Sequence, residues 1–248
     1  MIEATYIDHM GTDLSVVNAA RVSFGKKSTW SGQEGGLDDG EGGMGVLNDT
    51  DTKLINYLAK HKHTSPFGHA FASFHVKAPV FVARQLVKHK FLRWNEISRR
   101  YVSDKPEFYS PEVWRGKAVD KKQGSSDEVV KMLHWIVEDP ELSIEGHTEY
   151  DNVSDTPDRW SSYVNDRALD LYNAMLNSDV APEQARMVLP QSTLTEWYWS
   201  GSLDAFAAMC NLRCTGDTQL ETRLVANQIC NSMKEWFPTS WFALRLEK

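Results

Sequence analysis

Hydrophobic and polar residues alternate along residues 71–77 (FASFHVK), with Ala72, Phe74 and Val76 on one side and Ser73, His75 and Lys77 on the other. A period of two marks a strand with one face buried. Residues 1–24 predict a short strand and then a helix over 14–22. A second helix is predicted over 52–60, with Leu54, Ile55 and Leu58 on one face. Pro79 sits where a first helical turn tolerates proline, and the pattern predicts a helix through 79–92 (PVFVARQLVKHKFL). Another helix, over 163–177, puts Val164, Ala168, Leu171, Tyr172 and Met175 on one stripe.

Towards the C-terminus, Pro182 opens EQARMVL and Pro190 stops it. Ser202 is placed to N-cap LDAFAAMCNLR, with Asp204 in the first turn and Arg213 in the last, both matching the helix dipole. Residues 218–221 (TQLE) spell a capping box for a long helix to about residue 237. Many helices and few strands, in mixed order, predict an α+β fold. Two stretches stand apart. Residues 26–51 hold seven of the fifteen glycines and predict a mobile loop, because glycine loses the most entropy on ordering. Residues 114–160 are polar and predict a peripheral insertion in what is otherwise a single domain over 1–248.

Composition adds boundaries. The chain has 248 residues, 41% hydrophobic and 25% charged, the balance of an ordinary globular domain. Three cysteines (Cys210, Cys214, Cys230), with no CxxC, argue against a disulfide framework or a cysteine-ligated metal and predict buried thiols in a reducing compartment. No run approaches the ~20 apolar residues of a membrane span, and no secretory pattern opens the chain, so a cytoplasmic protein without membrane contact is expected. The net charge of −7 disfavours a nucleic-acid partner. Yet residues 77–100 hold seven Lys/Arg (Lys77, Arg84, Lys88, Lys90, Arg93, Arg99, Arg100) against one acid, Glu96, so this stretch is +6 within a chain that is otherwise −13. Either it is a solvated face laced with salt bridges, or it gathers around a small phosphorylated ligand.

The sequence is densest in chemistry over 61–101. On the predicted helix, Gln85 and Lys88 stand at i,i+3 and Arg84 and Lys88 at i,i+4, which groups one amide with two cations. Asn95, Glu96, Ser98 and Arg100 follow within six residues. An amide, a hydroxyl and several cations suit a ligand that carries both a phosphate and a hydrogen-bonding heterocycle. Taken singly, His89 also reads as a packed histidine and Ser98 as a turn residue.

These residues resemble the flavin-dependent thymidylate synthases, the ThyX type, whose mark is Arg-His-Arg, seven residues, then Ser. Here it reads Lys88-His89-Lys90, seven residues, Ser98, with Asn95-Glu96 and Arg100-Tyr101 in place. The similarity runs through AARVSF (19–24), HTSPFGH (63–69), FHVKAPVFVARQ (74–85), ARMVLP (185–190) and NLR (211–213), about 60% of the chain, in order.

The resemblance implies a ThyX-like fold, a small mixed or antiparallel sheet packed with several long helices, assembled as a homotetramer with sites between subunits. It implies methylation of dUMP to dTMP, with methylenetetrahydrofolate as carbon donor and NADPH as reductant through FAD. Carried over residue by residue, dUMP would be held by Gln85, Lys88, Glu96, Ser98, Arg99, Arg100, Arg186 and Arg213. Arg213 would stabilise negative charge on the uracil as the catalytic residue, and Arg186 would come from a neighbouring subunit. FAD would be held by His63, Ser65, Lys88, His89, Lys90 and Glu96, and no metal is implied. Trp94, Trp197, Tyr198 and Trp199 are candidates for an interface or for core packing. The chain departs from the pattern at Lys88 and Lys90, which are arginines in the family, at Arg93 in place of a serine, and at Gly68 in place of an acid. Ser202 and Asp204 stand where many relatives carry an Asn/Arg pair. Lysine keeps the charge but gives up the planar two-pronged grip of arginine. Two other functions therefore remain open: an enzyme that hydroxymethylates a pyrimidine nucleotide, and a nucleotide-binding homologue without catalysis. The cysteine-dependent type of thymidylate synthase is a poor match, because none of the three cysteines stands in a nucleophile context.

Overall fold

The computed structural model describes residues 1–31, 45–102, 104–119, 124–137 and 151–245. Most of the glycine-rich segment and part of the predicted 114–160 insertion lie outside the described residues. In chain order the elements are β1 (Glu3–Met10), α1 (Asp13–Arg21), α2 (Asp49–Lys60), β2 (Phe71–Pro79), α3 (Val80–Leu86), β3 (Leu92–Glu96), β4 (Arg115–Lys117), β5 (Ser125–Val129), β6 (Leu133–Val137), β7 (Asp151–Asp155), α4 (Pro157–Asn177), α5 (Pro182–Ala185), β8 (Leu194–Ser202), α6 (Leu203–Arg213), α7 (Leu220–Trp236) and α8 (Pro238–Leu244). This is the α+β fold expected.

The chain divides into two compact units. The first comprises Met1–Ala78, Val82–Ile97 and Thr195–Lys248. Its four-stranded sheet has the order β1-β2-β8-β3. β1 and β2 run antiparallel, with a register shift between Tyr6 and Asp8. β3 and β8 run antiparallel, pairing Leu92 with Gly201 and Glu96 with Trp197. The alternation in β2 is as the pattern predicts: Ala72, Phe74 and Val76 are buried, and Ser73, His75 and Lys77 are half-buried. Phe74 and Trp199 both meet Phe206 of α6 edge-on, at 5.3 and 5.6 Å between ring centroids. α6 buries Leu203, Ala205, Phe206, Ala207, Met209 and Cys210 on one broad face and leaves Ala208 and Leu212 exposed on the other.

The second unit comprises Pro79–Phe81 and Ser98–Leu194. It holds two two-stranded sheets, β4-β5 and β6-β7, so the predicted insertion contains regular structure. Leu169, Tyr172 and Ala185 form its buried cluster, with Phe108, Met175, Leu176, Val180, Val188 and Leu189 around them. α4 turns a different stripe inward from the one expected. Asn165, Leu169 and Tyr172 are buried, while Val164 and Leu171 are exposed. The polar Asn165 is tolerated inside because its Oδ1 accepts from the Ser192 hydroxyl at 2.9 Å.

Three local expectations are corrected. The helix predicted over 79–92 is seven residues long, because β2 runs on through Pro79 and the chain turns back into β3. Arg84 and Lys88, like charges at i,i+4, would have weakened any longer helix. Ser202 occupies the N-cap position of α6, but its side chain makes no capping bond. The capping box is not formed either: Gln219 occupies the N-cap position of α7 without a side-chain capping bond, and the Thr218 hydroxyl donates to the Leu212 carbonyl at 3.0 Å.

Candidate active site

The turn between α3 and β3 is built by a clash of preferences. His89 N donates to the Leu86 carbonyl at 3.1 Å and closes the helix. Phe91 then takes a left-handed backbone, with φ of 64°, so that the chain can enter β3. Gly201 stands opposite on β8. A side chain there would meet the Phe91 carbonyl at 2.9 Å and run into Leu92, so glycine permits the turn to lie against the sheet. Lys88, His89 and Lys90 therefore project from a tight turn and not from a helix face. The expected i,i+3 and i,i+4 grouping of Lys88 with Gln85 and Arg84 is lost. Lys88 and Lys90 are exposed and His89 is half-buried.

Arg213, the last residue of α6, reaches this turn. Its Nε donates to His89 Nε2 at 3.0 Å across 124 positions of sequence. Burial, and then the Arg213 guanidinium, lower the His89 pKa from 6.5 to about 4. The imidazole is therefore neutral at pH 7. Because Nε2 accepts from Arg213, the ring proton is assigned to Nδ1, which is left as a donor. A cation and a neutral imidazole donor are thus fixed side by side between two exposed lysines.

Gln85 is held from behind. The Thr222 hydroxyl donates to its Oε1 at 3.1 Å, and its Nε2 donates to Gln219 Oε1. Thr222 lies in the first turn of α7 and Gln219 at its N-cap position, 137 and 134 positions away, and no sequence pattern marks either as a partner of Gln85. Glu96 ends β3 with both carboxylate oxygens engaged. Oε1 accepts from the Thr195 hydroxyl at 2.7 Å, and Oε2 accepts from Trp94 Nε1 at 3.1 Å. Trp94 stacks on Trp197 with centroids 4.3 Å apart, while Trp197 and Trp199 are buried in the core and Tyr198 is exposed. His63 and Ser65 are exposed around the 3-10 turn Ser65–His69, with the His63 ring edge-on to Tyr57 at 6.0 Å.

The remaining candidates belong to the second unit. The Ser98 hydroxyl accepts from Arg100 N and Nε at 3.4 and 3.3 Å, and the Ser98 carbonyl accepts from Tyr101 N at 2.9 Å. Ser98 is thus a turn residue that also holds the exposed Arg100. Arg99 is turned to Asp104, with Nη1 3.3 Å from the carboxylate and 2.6 Å from the carbonyl. Arg186 is exposed, its Nε donating to the Glu183 carbonyl at 3.4 Å. Of the basic stretch, Lys77 pairs with Glu196 at 3.6 Å and Arg99 with Asp104, whereas Arg84, Lys88, Lys90, Arg93 and Arg100 are exposed. Salt bridges thus account for part of the cluster, and most of its charge faces outward.

Residues 5–239 match the family described as Thymidylate synthase complementing protein (Thy1). The chain is 36% identical over 237 residues to a flavin-dependent thymidylate synthase of Thermus thermophilus, covering 96% of this chain and 73% of that protein. It is 36% identical to the enzyme of the same description from Thermosipho africanus, over 96% and 88% of the two chains. Among solved structures, a UMP/dUMP methylase, PolB from Streptomyces cacaoi bound with 5-Br dUMP, superposes with a TM-score of 0.70 at 26% identity, covering 98% of this chain and 94% of that one. From the motif to the fold and the matched length, the chain belongs to the thymidylate synthase complementing protein family, that of the flavin-dependent thymidylate synthases.

Proposed function

We propose that the protein methylates dUMP to dTMP, taking the carbon from methylenetetrahydrofolate and the reducing power from NADPH through bound FAD. The observation that carries this reading is the hydrogen bond between Arg213 and His89. It joins the arginine assigned to the uracil with the histidine of the flavin motif.

The residues suit both ligands. Lys88 and Lys90 are exposed cations flanking the neutral His89, a donor set matched to the phosphates and carbonyls of a dinucleotide. His63, Ser65 and Glu96 complete the proposed FAD-binding set. FAD, when bound, supplies the hydride chemistry that no side chain can provide. Arg213 spends Nε on His89 and presents its Nη edge to the pyrimidine, where a permanent cation stabilises charge that develops on N3 and O4. Its fixed partner keeps the guanidinium oriented before substrate arrives, which lowers the cost of reorganisation. Gln85, its amide set by Thr222 and Gln219, offers directed hydrogen bonds to the nucleotide. Ser98, Arg99, Arg100 and Arg186, with Lys88 and Glu96, complete the proposed dUMP-binding set, and the subunits assemble as a homotetramer in the cytoplasm.

The decisive measurement is product formation from dUMP with all three co-substrates, read by mass. Formation of dTMP is expected, and Arg213→Ala should lower its rate by about 10²–10³-fold, the usual cost of losing one positioned charge donor. A hydroxymethylated product would assign the alternative chemistry instead. Protein that stays colourless after FAD addition would favour binding without catalysis. A second substrate, UMP, belongs in the same assay, because a solved relative at TM-score 0.69 and 25% identity is described as a UMP/dUMP methylase bound with 5-Br UMP.

A further inference from the structure

Hydroxyl groups brace the corner between α6 and α7, residues 214–219. The Leu212 carbonyl accepts from the Thr215 hydroxyl at 3.2 Å and from the Thr218 hydroxyl at 3.0 Å, and the two hydroxyls lie 3.1 Å apart. Arg223 Nη1 donates to the Gly216 carbonyl at 3.1 Å. Cys214 opens the corner, its N donating to the Cys210 carbonyl at 3.0 Å. Its thiol is half-buried, as is that of Cys230, where the sequence predicts buried thiols. Arg213, just before the corner, reaches His89, while Gln219 at its end and Thr222 just beyond reach Gln85.

The two partners of Gln85 are used in unusual ways. Gln219 stands at the N-cap of α7 yet makes no capping bond, and glutamine is not among the residues favoured there. Its side-chain carbonyl accepts from Gln85 Nε2 instead. Thr222 is fully buried, where a hydroxyl needs a partner. Threonine within a helix commonly bonds back to the carbonyl four residues before it. Here the hydroxyl donates its proton to Gln85 Oε1 at 3.1 Å.

Gln85 itself is half-buried near the end of α3. A side-chain amide has two N–H donors and a carbonyl with two lone pairs. Thr222 and Gln219 occupy one lone pair and one donor, which leaves one of each. Turning the amide over would set its carbonyl against that of Gln219, oxygen against oxygen, so one order is held.

We infer that Thr222 is a positioning residue for the nucleotide: with Gln219 it fixes the Gln85 amide so that the second N–H is directed to an acceptor oxygen of dUMP. This role rests on the assignment of Gln85 to dUMP made above and adds the residues that act through it. Without them Gln85 would lose rotamer freedom only when substrate binds, and it could turn its carbonyl towards a ligand oxygen. The contribution belongs to binding rather than to the chemical step.

The test is calorimetric titration of the full-length protein with dUMP in the presence of FAD, alongside KM and kcat. Thr222→Val keeps the shape and removes the donor. Its Kd and KM should rise about fivefold, the effect of one net hydrogen bond, with kcat changing less than KM. Thr222→Ser, which keeps the hydroxyl, should bind dUMP more tightly than Thr222→Val. In a Gln85→Ala background the valine substitution should weaken binding no further, because the residue it acts through is gone. An unchanged Kd in Thr222→Val beside an impaired Gln85→Ala would overturn the inference and leave the assignment of Gln85 standing. So would a loss that persists in full in the Gln85→Ala background. A Gln85→Ala variant that binds dUMP like the parent would overturn that assignment and the inference together, and a parent that does not bind dUMP would overturn the proposed function itself. Should Thr222→Val fail to fold, Gln219→Leu removes the other tie and is read through the same cycle.

Discussion

At pH 7 the His89 imidazole is neutral, because its partly buried position and the guanidinium beside it both oppose a second positive charge. Two consequences follow for single residues. Between pH 6.5 and about 4 the unfolded chain takes up a proton at this histidine that the folded protein refuses. Stability should therefore fall as pH drops through that window and be unaffected by this group above it. Denaturant melts of His89→Gln, with a flatter pH profile than the parent, check this. In Arg213→Ala the histidine should titrate higher by NMR but still below 6.5, since burial is the larger cause. Gly68 offers a different test. A Cβ there meets nothing within 4 Å, and the family resemblance of the sequence implies an acid at this place. Gly68→Glu should fit without strain and tighten flavin binding in a fluorescence titration; unchanged affinity would separate the flavin site from this turn. The local motif was legible at this scale, because Lys88-His89-Lys90, Ser98 and Arg100 stand within one short stretch. Thr222 and Gln219 were not, because the residue they hold is more than 130 positions away.

At the scale of elements, the α3–β3 turn rests on two opposed backbones. Gly201→Ala forces a methyl group into the Phe91 carbonyl and Leu92, which cannot both yield without disturbing the ladder. Overpacking of this kind costs about 1–3 kcal/mol. Phe91 is 82% exposed and left-handed, so it stabilises little through burial and carries backbone strain. Phe91→Asn should recover up to about 1 kcal/mol, because asparagine tolerates that region better. Urea melts of both variants give the two signs, and a neutral Gly201→Ala would mean that the turn has room to move. The pattern predicted β2, α2 and α6 well, since each buries one consistent face. It overextended α3, because apolar VFVARQLV satisfies a helical period whether or not the chain must turn back. It rotated the stripe of α4, because the buried Asn165 is paired with Ser192 and reads as polar in sequence. The capping box at 218–221 failed for a related reason: the Thr218 hydroxyl found a closer acceptor in the preceding helix end.

For the whole molecule, the fold class was legible and the division of the chain was not. Few strands among many helices announce α+β, but nothing between Ile97 and Thr195 marks the passage from one compact unit to the other and back. The proposed homotetramer is tested by light scattering at enzyme concentration, where a mass near that of one 28.2 kDa chain would rule it out. Sheet order carries its own consequence. β8 lies between β2 and β3, yet Glu96 and Leu194 are 98 positions apart. At ~5–20 residues per second, a ribosome needs roughly 5–20 s to cover that distance. During this delay the nascent β2 and β3 wait with open edges for a strand not yet synthesised, a period when chaperone protection should matter most for yield.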